Sequence, residues 1–209
     1  MENKSFDLNS MDAIIENFLT HIKSGQSIKD GDLPNIDLYM DQVTTFMDRW
    51  LASSKRYDTD KILTKTMINN YAKNHLLPPP EKKKYSKDHM YLLLFIYYFK
   101  NILSINDIQK LLTPLTDRYF QSTEGLSLAD IYSQIQSVTN EQTQRLEKDI
   151  RLMSSEAASL FSDQSEDEAE YLRLFSTISL LSLDVYIKKQ LIEKLIDQFP
   201  FPEKEDKKH

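Results

Sequence analysis

The chain has 209 residues, a formal net charge of −6 at pH 7 and no cysteine, which excludes a disulfide framework and a thiolate metal site. Its hydrophobic content of 40% predicts a packed core rather than global disorder. No apolar run reaches the roughly 20 residues of a membrane span, and the N-terminal residues lack the pattern of a secretory signal. We therefore expect a soluble cytoplasmic protein that has no contact with a membrane.

Apolar residues recur at three- and four-residue spacing through most of the chain, and only three glycines occur. This periodicity predicts an all-α fold. A first helix is predicted within residues 1–30, with a stop near Gly25, and a second amphipathic helix is predicted over residues 37–51. Residues 53–60 are polar and predict a loop.

The third predicted helix is short and has two contrasting sides. Thr64 is its predicted N-cap, and Met67, Ile68 and Tyr71 fall on the side that should face the core. The helix must stop before Pro78, since a proline pushes the preceding residue toward extended geometry. A lysine-rich turn follows, so the segment has the layout of a DNA-reading helix and a wing.

Two further helices are predicted before residue 118. The first runs over residues 87–101 and is strongly apolar. The second begins at Ser104, which forms a Ser-x-x-Asp capping pattern with Asp107, and is expected to end at Pro114.

Beyond Gly125 the pattern becomes that of long helices. One is predicted over residues 127–161, with a single break allowed, and a last one is predicted over roughly 168–199. The acidic run at residues 163–170 predicts a solvated turn or a helix start.

Positive charge is concentrated in one segment. Residues 61–87 contain seven lysines and one acid, Glu81, for a net charge of +6. Because the whole chain carries −6, the remainder carries −12. A basic strip on an acidic body predicts the binding of a polyanion.

The candidate DNA-contacting residues combine cations with short polar side chains. Asparagine can form a bidentate pair with adenine in the major groove, and lysine neutralises phosphates. The candidates are Lys65, Thr66, Asn69, Asn70 and Lys73 on the exposed side of the third helix, and Lys82, Lys83 and Lys84 in the turn. The same residues would also suit an ordinary solvated surface, and this alternative stays open.

No pattern in the sequence indicates catalysis or metal binding. The four histidines lack metal-ligand spacing, no glycine-rich phosphate loop occurs, and no nucleophile has a suitably spaced base. We therefore expect no catalytic residue, no metal site, no cofactor and no enzymatic activity.

The run Thr64-Lys-Thr-Met-Ile-Asn-Asn-Tyr-Ala-Lys-Asn-His-Leu-Leu-Pro-Pro79 resembles the recognition-helix segment of mercury-resistance-type (MerR-like) regulators. The cap, the late Tyr71 and the Leu-Leu-Pro-Pro exit carry this resemblance. His75 stands where those regulators have glycine, so a left-handed backbone position would have to accept a non-glycine residue. Residues 33–118 resemble more closely a bacterial family catalogued as domain of unknown function 1836, which is described as winged-helix-like.

The resemblance implies a MerR-like winged helix-turn-helix module followed by a helical C-terminal domain. Its wing is short and glycine-free, so it would form at most a minimal β-hairpin. The expected organisation is an N-terminal helix in 1–30, the winged-helix-like DNA-binding module in 31–118, a helical, dimerising C-terminal domain in 119–199 and a flexible tail in 200–209.

Our leading hypothesis is a bacterial transcriptional regulator that binds double-stranded DNA as a homodimer. A dimer is expected for two reasons. Its two-fold symmetry matches palindromic half-sites in DNA. The last two helices also carry more apolar surface than one antiparallel pair can bury, so they should pack on a second copy. Two alternatives stay open. The protein could be a winged-helix-shaped protein–protein adaptor without nucleic-acid binding, which its net acidity favours, or a small-molecule sensor that uses the C-terminal helices.

Overall fold

The computed structural model describes residues 8–23 and 28–200, and these residues are mostly helical. The expected stop near Gly25 and the expected tail from residue 201 onward lie outside the described residues. In chain order, the elements are α1 (Leu8–Lys23), β1 (Leu38–Tyr39), α2 (Met40–Trp50), α3 (Lys65–Lys73), β2 (Lys84–Tyr85), α4 (Lys87–Phe99), α5 (Ile105–Tyr119), α6 (Leu128–Ser137), α7 (Thr139–Ser159) and α8 (Glu166–Gln198). The all-α expectation is confirmed, with one two-stranded sheet added in the described part of the chain.

The described residues fall into two compact units. The first contains α1 together with Ser137–Leu191, and the second contains residues 28–136 together with residues 192–200. The first helix therefore groups with the C-terminal helices, and residues 119–136 group with the module expected in 31–118. None of the described helices has the length and apolar character that crossing a lipid bilayer requires.

The second unit is built around α4. Every residue of this helix from His89 to Tyr97 is buried, as expected for a helix that is apolar on all sides. Tyr91 packs against Tyr132 of α6, with ring centroids 5.1 Å apart, and the Tyr132 hydroxyl donates a 2.5 Å hydrogen bond to the Ile28 carbonyl. These contacts fix the start of the unit and α6 to the central helix.

A short antiparallel pair of strands, β1 and β2, takes the place of the first residues of the helix predicted over 37–51. Leu38 pairs with Tyr85 and Tyr39 pairs with Lys84, so α2 begins only at Met40. This pairing ties the strand before α2 to the strand after the lysine turn.

The prediction that Pro114 ends its helix was wrong. α5 continues to Tyr119 with Pro114 inside it. A proline there removes one backbone hydrogen bond, whereas Leu115 and Tyr119 in the following turn pack against the core of the unit. Burial of these two side chains explains why the helix continues.

The first unit is held by α1, α7 and α8. Met11 and Leu19 of α1 are buried, as are Ile150 and Ala157 of α7. At the surface of this unit, Arg151 of α7 forms ion pairs with Glu16 of α1 and with Glu147 on its own helix, and Arg173 of α8 pairs with Asp12 of α1 at 2.6 Å.

Candidate nucleic-acid interface

The start of α3 is capped as its sequence predicts. The Met67 N–H donates to the Thr64 hydroxyl oxygen at 3.1 Å, which satisfies one of the free amides of the first turn. Ile68 is fully buried, Tyr71 is buried and Met67 is half-buried. One side of α3 is thus anchored in the core of the second unit.

The end of α3 requires a left-handed residue, and His75 takes that role with φ +57°. The His75 N–H donates to the Ala72 carbonyl at 3.2 Å, and the Leu76 N–H donates to the Tyr71 carbonyl at 2.9 Å. These are the two hydrogen bonds of a Schellman motif, in which glycine usually occupies the left-handed position. The expected non-glycine left-handed residue is confirmed, and Pro78 lies outside the helix as predicted.

The lysine turn is a tight two-residue turn. Lys82 and Lys83 have φ values of +49° and +64°, the Lys84 N–H donates to the Glu81 carbonyl at 2.8 Å, and Glu81 and Lys84 form an isolated antiparallel bridge. Two central residues with positive φ are typical of a type I′ turn, which matches the twist of β-hairpins. The chain therefore reverses at the lysines and enters β2.

The candidate residues on α3 share one side of the helix. At about 100° per residue, they span an arc of about 140°, opposite Ile68 and Tyr71. Lys65, Thr66, Asn69, Asn70 and Lys73 are all exposed. In the turn, Lys82 and Lys83 are exposed, while Lys84 is half-buried with its Nζ atom 5.4 Å from the centroid of the Tyr39 ring. Lys84 is thus also a contact of the β1 strand.

Two lysines of the basic strip are neutralised by acids from outside it. Lys65 forms an ion pair with Asp41 in the first turn of α2. Lys87 lies 2.7 Å from a carboxylate oxygen of Asp30, and this contact, together with a hydrogen bond from Tyr91, lowers the pKa of Asp30. Sequence reasoning missed both pairs, because each joins residues far apart in the chain. The charge of the strip is therefore smaller than its composition suggests.

Besides the half-buried Lys84, four lysines of the strip make no ion pair with the residues that the structure describes. They are Lys61, Lys73, Lys82 and Lys83. All four are exposed. Together with the amides of Asn69 and Asn70, they offer hydrogen-bond donors and positive charge to a polyanion.

The family model described as Domain of unknown function (DUF1836) matches residues 28–135, which is 108 of the 209 residues. The matched span runs from before β1 into α6 and includes the whole candidate interface. No match was found among curated proteins or among solved structures. The matched residues cover more than half of the sequence and confirm the resemblance on residues 33–118, so the chain belongs to the Domain of unknown function (DUF1836) family.

Proposed function

We propose that the protein is a bacterial transcriptional regulator that binds double-stranded DNA. In this proposal α3 lies in the major groove, with Asn69 and Asn70 facing base edges and Lys65 and Lys73 near phosphates. The observation that carries it is the contrast between the two sides of α3, one fixed in the core and the other made only of exposed amides, hydroxyls and cations.

The dimensions of α3 support this arrangement. Its nine residues correspond to about 13.5 Å at 1.5 Å per residue. The major groove of B-form DNA is about 12 Å wide and admits an α-helix. Lysines near the two ends of such a helix would reach the phosphates that border the groove, while the asparagines between them would face the bases.

The connection after α3 supports a MerR-like winged helix with a minimal wing. The exit from α3 leads into the two-residue turn at Lys82 and Lys83, and β2 then pairs with β1. This tight turn would place next to the reading helix two cations that form no ion pair with the described residues. They would contact the DNA backbone and carry no base specificity.

A charge-removing variant of the turn tests DNA binding. In Lys82→Asn/Lys83→Gly, the turn should persist because Asn-Gly is the preferred pair of a type I′ turn. We expect weaker binding to a labelled duplex of mixed sequence, measured by fluorescence anisotropy at 50 and 200 mM salt. The slope of log affinity against log salt should fall by about 0.9 for each phosphate that the variant no longer neutralises.

The matched control is Lys188→Gln/Lys189→Gln, which removes the same charge from two exposed lysines of α8. Equal affinities and salt slopes for the two variants would remove the wing from the proposal. If the unmodified protein failed to bind any duplex at 50 mM salt, the adaptor alternative would replace the regulator. The net charge of −6 and the two neutralised lysines favour that alternative.

We further propose that the protein acts as a homodimer through an apolar face of α8. Tyr171, Phe175, Ile178, Val185 and Tyr186 are each more than half exposed and lie within an arc of about 100°. Together they expose on the order of 500–600 Å² per protomer, judged from typical side-chain areas. Two such faces would bury about 1,000–1,200 Å², which is the lower end for a specific interface.

Replacement of Phe175 by glutamate tests this interface. A charge in the middle of the face would lose its hydration on association, so we expect the variant to sediment as a monomer at concentrations where the parent sediments as a dimer. Leu152→Glu provides the control, because Leu152 is exposed to a similar extent (56% against 57%) but lies on α7. A Phe175→Glu variant that still dimerises would exclude this face.

A further inference from the structure

A cavity of about 420 Å³ lies between the C-terminal half of α2 and the start of α3. Thr44, Thr45, Asp48 and Arg49 of α2 line one side, and residues 61–64 line the other. None of these residues belongs to the candidate set that the sequence analysis assigns to DNA contact. The cavity lies entirely within the second unit.

The charges around this cavity favour an anion. Arg49 and Lys61 are exposed cations and form no ion pair with any described residue. The one acid in the lining, Asp48, is paired with Lys55 at 2.7 Å. Arg49 also borders a second cavity, where Asp41 is paired with Lys65 and Asp32 accepts a 2.9 Å hydrogen bond from the Lys29 N–H.

The polar groups that complete the lining are hydroxyls. The Thr44 hydroxyl donates to the Asp41 carbonyl at 3.1 Å, and the Thr64 oxygen accepts from the Met67 N–H. The Thr64 hydroxyl hydrogen therefore remains available as a donor. An arginine that can bind two oxygens at once, a lysine and the Thr64 hydroxyl form a set of donors that suits a phosphate group.

We propose that this cavity holds a phosphodiester group of bound duplex DNA, with Arg49 and Lys61 as its cationic ligands. This inference rests on the proposed function. The cavity adjoins the N-terminus of α3, whereas the lysine turn follows its C-terminus. Cations at both ends of a helix about 13.5 Å long would contact both phosphate backbones that border a groove about 12 Å wide.

The test removes both charges in the full-length protein as Arg49→Gln/Lys61→Gln. Both side chains are exposed, and glutamine is a good helix former, so the variant should keep the circular dichroism spectrum and thermal midpoint of the parent. With two phosphates no longer neutralised, the salt slope should fall by about 1.8. The parent-to-variant affinity ratio for the mixed-sequence duplex should then be about tenfold larger at 50 mM than at 200 mM salt.

The matched control is Arg145→Gln/Lys148→Gln, which removes one arginine and one lysine from the exposed surface of α7. If the Arg49/Lys61 variant binds like this control while the Lys82/Lys83 variant is weakened, the cavity assignment is overturned and the proposed function survives. If the parent binds no duplex at either salt concentration, both are overturned. The single variant Lys61→Gln, which leaves α2 unchanged, should lower the slope by about 0.9.

A second arm separates backbone phosphate from free phosphate. Inorganic phosphate is titrated into the parent protein by calorimetry at constant ionic strength, and we expect no saturable heat. Saturable binding that disappears in Arg49→Gln/Lys61→Gln would identify free phosphate as the ligand and overturn the assignment to duplex DNA.

Discussion

Replacement of Ile68 by alanine is expected to lower the free energy of unfolding by about 2–5 kcal/mol. Ile68 lies in the middle of α3 and has no exposed surface. Its truncation removes apolar burial and leaves a cavity between α3 and the rest of the core. Urea denaturation followed by circular dichroism measures the loss, as a shift of the midpoint at unchanged slope.

The neighbouring variant Asn69→Ala is the matched control, because Asn69 is exposed on the same helix. Its free energy of unfolding should change by no more than about 0.5 kcal/mol. Its affinity for a specific duplex should nevertheless fall, because a base contact contributes about 1–3 kcal/mol. Similar stability losses in both variants would contradict the division of α3 into a buried and an exposed side.

The second large effect expected is a loss of stability below neutral pH that depends on His89. The His89 ring is 2% exposed and lies edge-on between the rings of Tyr85 and Phe120, at centroid distances of 5.3 and 4.8 Å. Its Nδ1 atom accepts a 3.0 Å hydrogen bond from the Ser86 N–H, so the neutral ring carries its hydrogen on Nε2. Nε2 is buried and makes no hydrogen bond of normal geometry with the described part of the chain.

Burial lowers the pKa of His89 below its ordinary value of 6.5, because the charged ring would lose its hydration. The carbonyl groups of Pro78 and Pro79 and the charges of Asp88 and Asp37 act in the opposite direction, but burial is the largest effect. Between the lowered pKa and 6.5, the unfolded chain binds more protons than the folded chain. The contribution of His89 to stability is therefore complete above pH 6.5 and is lost as the pH falls through the folded pKa.

Urea denaturation between pH 7.5 and pH 5 should show this decrease, and His89→Gln should reduce it. Glutamine cannot titrate, and its carbonyl oxygen can accept the Ser86 N–H as in a Ser-x-x-Gln capping box. The control His75→Gln removes an exposed imidazole and should keep the parent slope. Asp30 does not contribute to the decrease between pH 7.5 and pH 5. Its pKa is lowered from 3.8, so the stability that depends on its charge is lost only at more acidic pH. An unchanged slope in His89→Gln would assign the pH dependence to other groups.

Local features of the fold could be predicted because they depend on residues within one helical turn. The caps at Thr64 and Ser104 each use a hydrogen bond between residues three positions apart. The left-handed position of His75 follows from the resemblance to regulators that have glycine before Leu-Leu-Pro, and the exposed side of α3 follows from helical periodicity. All of these are present in the structure.

Features that depend on distant residues could not be predicted. Leu38 falls inside the helix predicted over 37–51, but its pairing with Tyr85 extends the backbone before α2. Pro114 is a helix breaker by its own chemistry, yet burial of Leu115 and Tyr119 outweighs one missing hydrogen bond. The grouping of α1 with residues 137–191 likewise depends on contacts between the two ends of the chain.

The candidate site likewise combines features that depend on neighbouring residues with features that depend on distant residues. Composition and periodicity select the lysines and asparagines of α3, because exposure is a local property of an amphipathic helix. They do not reveal that Asp41 neutralises Lys65, nor that Arg49 and Lys61 line one cavity. The ion pair joins residues 24 positions apart, and the two cations of the cavity lie 12 positions apart in the sequence. Both arrangements arise only when α2 packs against α3.

Because Asp41 and Lys65 form an ion pair, an anion that binds to Lys65 has to compete with the Asp41 carboxylate. A small anion that approaches Lys65 meets a cation whose charge is already balanced by a carboxylate. A duplex presents many phosphates at once, and contacts with Lys82 and Lys83 would hold it close enough to displace that carboxylate. In the proposed complex, Asp41 would then compete with incoming anions for Lys65. A single anion would not displace its carboxylate, whereas a duplex with many phosphates would.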